Sequence, residues 1–150
     1  MNKCKKNIRK LVPFLDITEK IIKLHNKAKF WTSHSEYISL YYTHKIYKKY
    51  NCCIAPNCEI KENILFPHPI GIVIGEGVKI GKNCTIYQNV TLGRKNKNVY
   101  AYPTIGDNVI IYSNATILGN IKVGNNATIG CNSVVLRDVN EGETVCGIVK

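Results

Sequence analysis

The sequence predicts an all-β solenoid of hexapeptide repeats that follows a short helical segment. An aliphatic residue recurs every six positions from Ile105, and an earlier run from Ile74 keeps the same step. A step of six spreads side chains around an α-helix but keeps them on one face of a β-strand. The fifth place of each hexad is also small or aliphatic. Two inward rows per hexad therefore predict short strands around a narrow, filled core, whereas a sandwich of irregular strands would not keep one period.

The two inward rows and the turn residues can be read directly from the repeat. The first row is Ile74, Ile80, Ile86, Leu92, Ile105, Ile111, Ile117, Val123, Ile129 and Val135. The second row is Val78, Cys84, Val90, Val109, Ala115, Ile121, Ala127, Ser133 and Val139. At the turns we expect positive φ, which Gly and Asn tolerate. The turn residues are Gly75, Gly81, Asn83, Gly106, Asn108, Asn114, Gly124, Asn126, Gly130 and Asn132.

Two interruptions of the repeat are the predicted functional segments. Residues 65–71 put the register out by two and contain His68, the only histidine of the solenoid. Leu92 and Ile105 lie thirteen apart where we expect twelve, and the intervening residues 94–102 are polar, basic and rich in tyrosine. A solenoid tolerates loops that bulge from its corners, so binding and catalytic residues tend to lie there.

Positive charge is concentrated in the helical segment. The formal charge of the chain is +11; residues 1–50 hold twelve Lys or Arg against three acids, and residues 51–150 hold nine against seven. A nearly neutral solenoid argues against a nucleic-acid groove. The sequence has no run of about 20 apolar residues and no signal-peptide core after its basic start, so we expect a cytoplasmic protein.

Seven cysteines without a secretory signal predict reduced thiols that pack as small hydrophobic residues. Cys52, Cys53 and Cys58 suggest a metal site, but there is no CxxC pair and the nearest solenoid histidine, His68, lies beyond a turn. We therefore expect no metal.

Residues 1–50 predict two amphipathic helices, and residues 51–150 form the solenoid domain. Asp16 with Glu19, and Ser33 with Glu36, have the spacing of N-terminal caps, while Pro13 limits the first helix. We expect these helices to cover the open end of the solenoid and to pack against neighbouring subunits. A peripheral contact of their basic faces with the inner face of an anionic membrane stays open. We expect His25, His34 and His44 to lie on the solvated surface.

The segments 68–75, 86–93, 102–107, 117–124 and 127–135 resemble the hexapeptide-repeat acyltransferases. The chain is most similar to the serine acetyltransferase branch and its relatives that O-acetylate bacterial surface polysaccharides. The resemblance implies a left-handed parallel β-helix of four to five coils, with Ile117 and Ile129 inside and Asn120 and Asn132 at corners. It also implies a homotrimer whose acetyl-CoA sites lie between subunits.

The resemblance assigns roles to particular residues. His68 matches the catalytic histidine, a general base for the acceptor hydroxyl, because imidazole ordinarily titrates near neutrality. Backbone N–H groups near Gly93 would stabilise the oxyanion. The predicted cofactor-binding residues are Gly93, Arg94, Ser113, Lys122 and Cys131, with Lys95 and Lys97 as further candidates for the CoA phosphates. The predicted substrate-binding residues are Pro67, Gln88 and Tyr102.

Departures from the serine acetyltransferases bear on the acceptor. Cys53 and Pro67 stand where those enzymes carry aspartates, and Ala101-Tyr102 stands where they carry Arg-His. A site for an amino acid should offer an acid and a base, so these residues favour a neutral acceptor such as a sugar hydroxyl. Serine O-acetylation is the alternative within the enzymes. The alternative of another class is a non-catalytic solenoid that docks through its basic helices.

Overall fold

The computed structural model describes residues 13–96 and 98–150 as two helices followed by short strands. Helix α1 spans Pro13–Trp31 and helix α2 spans Glu36–Tyr50. The strands are β1 (Cys53–Ile54), β2 (Glu59–Ile60), β3 (Val73–Ile74), β4 (Lys79–Ile80), β5 (Thr85–Ile86), β6 (Thr91–Gly93), β7 (Thr104–Ile105), β8 (Ile110–Ile111), β9 (Thr116–Leu118), β10 (Lys122–Val123), β11 (Thr128–Ile129), β12 (Val134–Val135), β13 (Thr144–Val145) and β14 (Ile148–Val149).

The strands stack into three parallel sheets, which makes the solenoid a parallel β-helix. Sheet 1 has six strands in the order β1-β3-β6-β9-β12-β14. Sheet 2 contains β2, β4, β7 and β10, and sheet 3 contains β5, β8, β11 and β13. Since the chain crosses sheet 1 six times, it completes five turns between the first and the last crossing.

Both predicted inward rows are buried. Ile117 and Ile129 are 0% exposed, and every residue of the second row, including Ser133, is buried as well. The hydroxyl of Ser133 donates to the carbonyl of Gly130 at 2.7 Å, which satisfies this one polar group of the row. Asn120 and Asn132 lie exposed at turns. The predicted register is therefore confirmed.

Asparagine and glycine serve the turns in different ways. The predicted turn asparagines, from Asn83 to Asn132, all have positive φ, and their side-chain amides bond from coil to coil. The predicted turn glycines do not belong to the positive-φ residues among those described, so that part of the prediction is wrong. They permit close approach instead: a Cβ on Gly81 would lie 2.5 Å from the carbonyl oxygen of Gly106 in the next coil.

The first interruption is as predicted, and the second is larger. Leu65 pairs with Thr85, and Val73 pairs with Thr91 of that next coil, so the intervening stretch of the first coil is two residues longer. Leu92 lies in sheet 1 and Ile105 in sheet 2, the next sheet along the chain. Their regular separation is therefore six, not twelve, and the loop adds seven residues rather than one.

The helices are present, but their N-termini differ from the predicted caps. Helix α1 begins at Pro13, where proline is favoured, and therefore places Asp16 in its first turn rather than at a cap. The cap of α2 is Ser35, with extended φ and no side-chain hydrogen bond, so Ser33 is not the cap. Residue spacing alone did not identify the cap, because Ser33 and Ser35 both stand just before the helix.

The helices cover the first coil. Ile21 of α1 and Ile46 of α2 are fully buried in the same core as Cys52 and Ile54 of the solenoid. The prediction for His25 is wrong, because this side chain is 1% exposed, whereas His34 and His44 are exposed as expected. Burial depends on how α1 docks, which the helical period does not reveal.

Burial changes the titration of the groups around His25. Burial, with a smaller effect of Lys29, lowers the pKa of His25 to about 4, while its hydrogen bond with the backbone of Cys58 opposes the shift. The His25 Nε2 lies 3.9 Å from the Cys58 Sγ. Burial likewise raises the pKa of the Cys58 thiol to about 12. This pair is therefore neutral in the folded protein at ordinary pH.

Six of the seven cysteines and two helices lie within the described residues. Cys52, Cys53, Cys58, Cys84, Cys131 and Cys146 are free thiols, while Cys4 lies outside the described residues. Neither described helix has the length and apolar composition to cross a bilayer.

Candidate active site

One edge of sheet 1 carries His68, the predicted catalytic histidine. We call this edge the histidine corner; it joins sheet 3 to sheet 1 and comprises residues 67–71, 87–89, 112–114 and 130–132. His68 is exposed there, in the stretch that contains the two extra residues. The N–H of Ile70 donates to the carbonyl of His68 at 2.8 Å, which closes a tight three-residue turn centred on Pro69. The turn therefore projects the imidazole outward from the coil.

Helix α1 holds the start of this turn. The N–H of Phe66 donates to the Thr18 Oγ1 at 3.0 Å, and the same hydroxyl donates to the carbonyl of Phe66 at 3.2 Å. Both groups are buried. Phe66, two positions before His68, is thus fixed to the helical segment through both its N–H and its carbonyl.

Three predicted ligand residues form a column on the histidine corner. Gln88, Ser113 and Cys131 each come one residue before an asparagine of positive φ, and the coils stack these asparagines. The Asn89 amide donates to Asn114 and the Asn114 amide donates to Asn132, both at 3.1 Å. The asparagine ladder therefore keeps Gln88, Ser113 and Cys131 in register, one coil apart.

Gln88 has an unsatisfied acceptor. Its Oε1 is buried and has no hydrogen-bond partner among the described residues. A buried carbonyl oxygen without a partner is costly, so it is normally satisfied by water or by a ligand. A donor on a bound molecule, such as an N–H or a hydroxyl, would satisfy it.

Two tyrosines beside His68 were not predicted. The ring of Tyr87 lies 6.4 Å from the His68 ring, and Tyr87 stacks on Tyr112 at 5.2 Å. Both tyrosines directly follow an inward isoleucine in adjacent coils, Ile86 and Ile111. That alignment was present in the repeat and could have identified the pair.

A cleft next to His68 contains basic residues that the sequence analysis also missed. It has a volume of about 630 Å³ and lies between the turn 67–70 and the end of α2, where Lys48 and Lys49 line it. These lysines lie about 20 positions before His68 in the sequence, so only the docking of α2 on the first coil reveals the cleft.

The other edge of sheet 1 carries the second interruption. We call it the loop corner; it joins sheet 1 to sheet 2 and comprises residues 75–77, the described part of 94–103 and residues 119–120. Gly93 ends β6, and its carbonyl accepts a hydrogen bond from the Gly119 N–H at 2.9 Å. A Cβ on Gly93 would meet only the Leu118 Cδ2, at 3.6 Å, so space beside it is open. Such space suits a chain that passes close to the backbone.

Tyr102 attaches this loop to the solenoid. A Cβ on Gly75 or Gly77 would lie 2.8 Å or 2.4 Å from the ring of Tyr102, so the ring rests directly on these two residues. The Arg94 guanidinium also lies over the Tyr102 ring, 5.8 Å from its centre. The structure thus gives Tyr102 a packing role; its predicted contact with substrate stays a prediction.

The remaining predicted cations lie near the loop corner. Lys122 is exposed at the start of β10 in sheet 2, and Lys95 lines a cleft of about 560 Å³ with Val99, Ala101 and Gly119. Lys97 lies outside the described residues. No phosphate contact of these residues is tested by the structure.

Within one chain, the predicted site residues form two groups. The histidine corner holds Pro67, His68, Gln88, Ser113 and Cys131; the loop side of sheet 1 holds Gly93, Arg94 and Tyr102, and Lys122 lies in the neighbouring sheet 2. Cys53 faces outward from β1 of that sheet, opposite Val73. Among the described residues, no three His, Cys, Asp or Glu side chains are grouped closely enough to hold a metal ion.

Residues 102–137 match the family described as bacterial transferase hexapeptide (six repeats). The chain is 49% identical over 96 residues to a serine acetyltransferase of Staphylococcus aureus, which covers 63% of this chain and 45% of that enzyme. The predicted resemblance to the hexapeptide-repeat acyltransferases is confirmed.

Solved structures agree with this resemblance. A serine acetyltransferase of Neisseria gonorrhoeae in complex with serine superposes with a TM-score of 0.78 at 32% identity, over 85% of this chain and 53% of that one. A serine acetyltransferase in complex with CoA superposes with a TM-score of 0.76 at 36% identity, over 83% and 52%. The chain has their left-handed β-helix fold, as predicted, and spans about half the length of these hexapeptide-repeat relatives.

Proposed function

We propose that this chain is an acetyl-CoA-dependent O-acetyltransferase in which His68 is the general base. The observation that carries the proposal is the exposed His68 on its fixed turn, in a chain that is 49% identical over 96 residues to a serine acetyltransferase. His68 takes the proton of the acceptor hydroxyl as the oxygen attacks the thioester carbonyl. The carbon–oxygen bond forms, the carbon–sulfur bond breaks, and the proton passes from His68 to the departing CoA sulfur.

Serine is the acceptor we favour. The relatives that support this choice are named serine acetyltransferases, and one of the similar structures holds serine. A positively charged partner for the serine carboxylate is also available, because Lys48 and Lys49 line the cleft beside His68. This pair supplies the positive charge that Ala101 and Tyr102 cannot provide.

A sugar hydroxyl is the second candidate acceptor. It is favoured by the uncharged residues Pro67 and Gln88 and by the stacked Tyr87 and Tyr112 beside His68, because aromatic faces suit the apolar face of a sugar ring. A sugar that forms part of a bacterial surface polysaccharide or its precursor would fit this site.

Turnover with defined acceptors tests the function. Acetyl-CoA is incubated with serine, simple sugars or nucleotide sugars, and the acetylated product is quantified by mass spectrometry. We expect O-acetylserine in wild type and at least tenfold less with Lys48→Ala/Lys49→Ala, while Lys61→Ala on the solenoid surface leaves the rate unchanged. Product from sugars alone would replace serine by the second candidate. No product from any acceptor would favour the docking module.

We also propose a homotrimer in which each site combines two chains. In one chain the predicted base lies on the histidine corner, while the predicted cofactor residues Gly93 and Arg94 lie across sheet 1, so a threefold arrangement could place the histidine corner of one copy against the loop corner of the next.

Subunit mixing tests the shared site. His68→Ala removes the base, and Gly93→Trp fills the open space beside Gly93. Each variant alone should be inactive, but co-refolded subunits should regain about a quarter of wild-type activity, because random assembly forms some intact sites. No recovery in mixed trimers that sedimentation confirms would contradict a site between chains.

A further inference from the structure

Helix α2 has an exposed aromatic face opposite the solenoid. Tyr37, Leu40, Tyr41 and Tyr47 are between 54% and 88% exposed, and His44 is exposed between them. Their spacing of three and four residues places all five on one side of the helix. We call this set the aromatic stripe.

The opposite side of α2 already has its partner. Ser39 and Ile46 are buried against the rest of the protein, and Ile46 belongs to the common core. The aromatic stripe therefore does not serve the packing of the described chain. Soluble proteins seldom leave several large aromatic side chains together in water without a binding role.

Lysines accompany the stripe. The Lys45 Nζ lies 5.6 Å from the centre of the Tyr41 ring. The Lys27 Nζ of α1 lies 5.6 Å from the ring of Tyr42, which borders the stripe and lies 5.3 Å from the Tyr41 ring. The acids of α1, Asp16 and Glu19, pair with Lys20 and Lys23 of the same helix. The acid of α2, Glu36, is confined to its first turn. Positive charge therefore prevails along the stripe.

We propose that the aromatic stripe of α2 docks on an anionic lipid surface. Tyrosine rings favour the boundary between headgroups and acyl chains, and lysines reach anionic headgroups while their alkyl stems follow the apolar layer. With 15 residues, α2 is shorter than the roughly 20 needed to span a bilayer, so it lies in the interface.

The same charge argues against two stripes packed on each other. Helix α2 carries Lys45, Lys48 and Lys49 against one acid, Glu36, so two stripes packed together would bring like charges into contact. An anionic membrane offers the complementary charge, which attracts each lysine near its surface. This inference is independent of the acceptor proposed above.

Vesicle flotation tests the docking. Full-length protein is mixed with vesicles of phosphatidylcholine alone or with phosphatidylglycerol added, at low and high salt. We expect binding only to the anionic vesicles, weakened by salt. Tyr37→Ser/Leu40→Ser/Tyr41→Ser should lower the partition coefficient at least tenfold, and Lys27→Glu/Lys45→Glu should do so as well.

Matched controls decide the interpretation. Lys61→Glu/Lys150→Glu makes the same charge change on the solenoid and should retain most of the binding. Circular dichroism and acetyl transfer in solution report whether each stripe variant is folded. If the triple variant does not fold, the Lys27→Glu/Lys45→Glu variant provides the second test. Absence of binding to anionic vesicles overturns the proposal, as does equal binding by folded stripe variants. If the stripe substitutions changed only the sedimentation of the protein, the stripe would instead be a contact between copies.

Discussion

The hydroxyl of Thr18 bonds to both the N–H and the carbonyl of Phe66, 48 residues further along the chain. These two bonds connect helix α1 to the residue that opens the turn of His68. The helical segment therefore contributes to the position of the proposed base, besides covering the first coil.

Replacing Thr18 by valine should weaken both stability and turnover. The variant leaves the buried N–H and carbonyl of Phe66 without these bonds, which costs about 1–3 kcal/mol of unfolding free energy. We also expect a lower kcat with little change in the acetyl-CoA KM, because the turn of His68 loses its anchor. Urea unfolding and steady-state kinetics measure the two effects.

Thr43→Val is the matched control for Thr18→Val. The Thr43 hydroxyl donates only to the carbonyl of Ser39 within α2, at 3.0 Å. Its loss should leave kcat unchanged. Equal effects of the two substitutions on kcat would contradict a specific link between α1 and the turn.

Gly77→Ala should loosen the loop corner. The added methyl would lie 2.4 Å from the Tyr102 Cδ2, so the ring must move off the solenoid. We expect about 1–3 kcal/mol of destabilisation and faster tryptic cleavage after Arg94 and Lys95. Mass spectrometry of the fragments locates the cleavage.

Gly93→Ala provides the contrast for Gly77→Ala. Its methyl would meet only Leu118, at 3.6 Å, so the loop and the stability should be retained while acetyl-CoA binding weakens. If Gly93→Ala opened the loop to trypsin as Gly77→Ala does, the assignment of Tyr102 as the loop's attachment would be wrong.

The buried His25 should make stability depend on pH. Burial holds its pKa at about 4 in the folded chain, against about 6.5 unfolded. Above pH 6.5 both states are neutral at this residue. As pH falls from 6.5 to 4 only the unfolded state takes up the proton, so the unfolding free energy falls by on the order of 3 kcal/mol.

Substitution of His25 isolates this effect. His25→Leu removes the titration, so its unfolding free energy should fall less than that of wild type between pH 7 and pH 4.5. His34→Leu, at an exposed position, should follow the wild-type curve. Parallel curves for wild type and His25→Leu would show that His25 is not buried in its neutral form.

The repeat was predictable because burial in a short strand depends on alternation within the hexad. Ile117 and Ser133 were therefore assigned inward from the sequence alone. The loop after Leu92 was misjudged, because counting residues does not tell which sheet the chain enters next. His25 was misjudged for a related reason: its burial arises from helix docking, a contact between segments far apart in sequence.

The sequence proposed the candidate site residue by residue but did not reveal their arrangement. His68 was proposed from its segment, and Gln88 from a second one. The cleft with Lys48 and Lys49 depends on the packing of α2 against the turn, and the unsatisfied oxygen of Gln88 appears only once the coils are stacked. The separation of His68 from Gly93 likewise follows from the order of the sheets.

The most direct test of the account is acetyl transfer by His68→Ala. The account predicts that the variant binds acetyl-CoA with wild-type affinity in calorimetry but transfers acetyl groups roughly 10²- to 10⁴-fold more slowly, the usual range for loss of a general base. His34→Ala should transfer at the wild-type rate. Full transfer by folded His68→Ala would contradict the proposed mechanism.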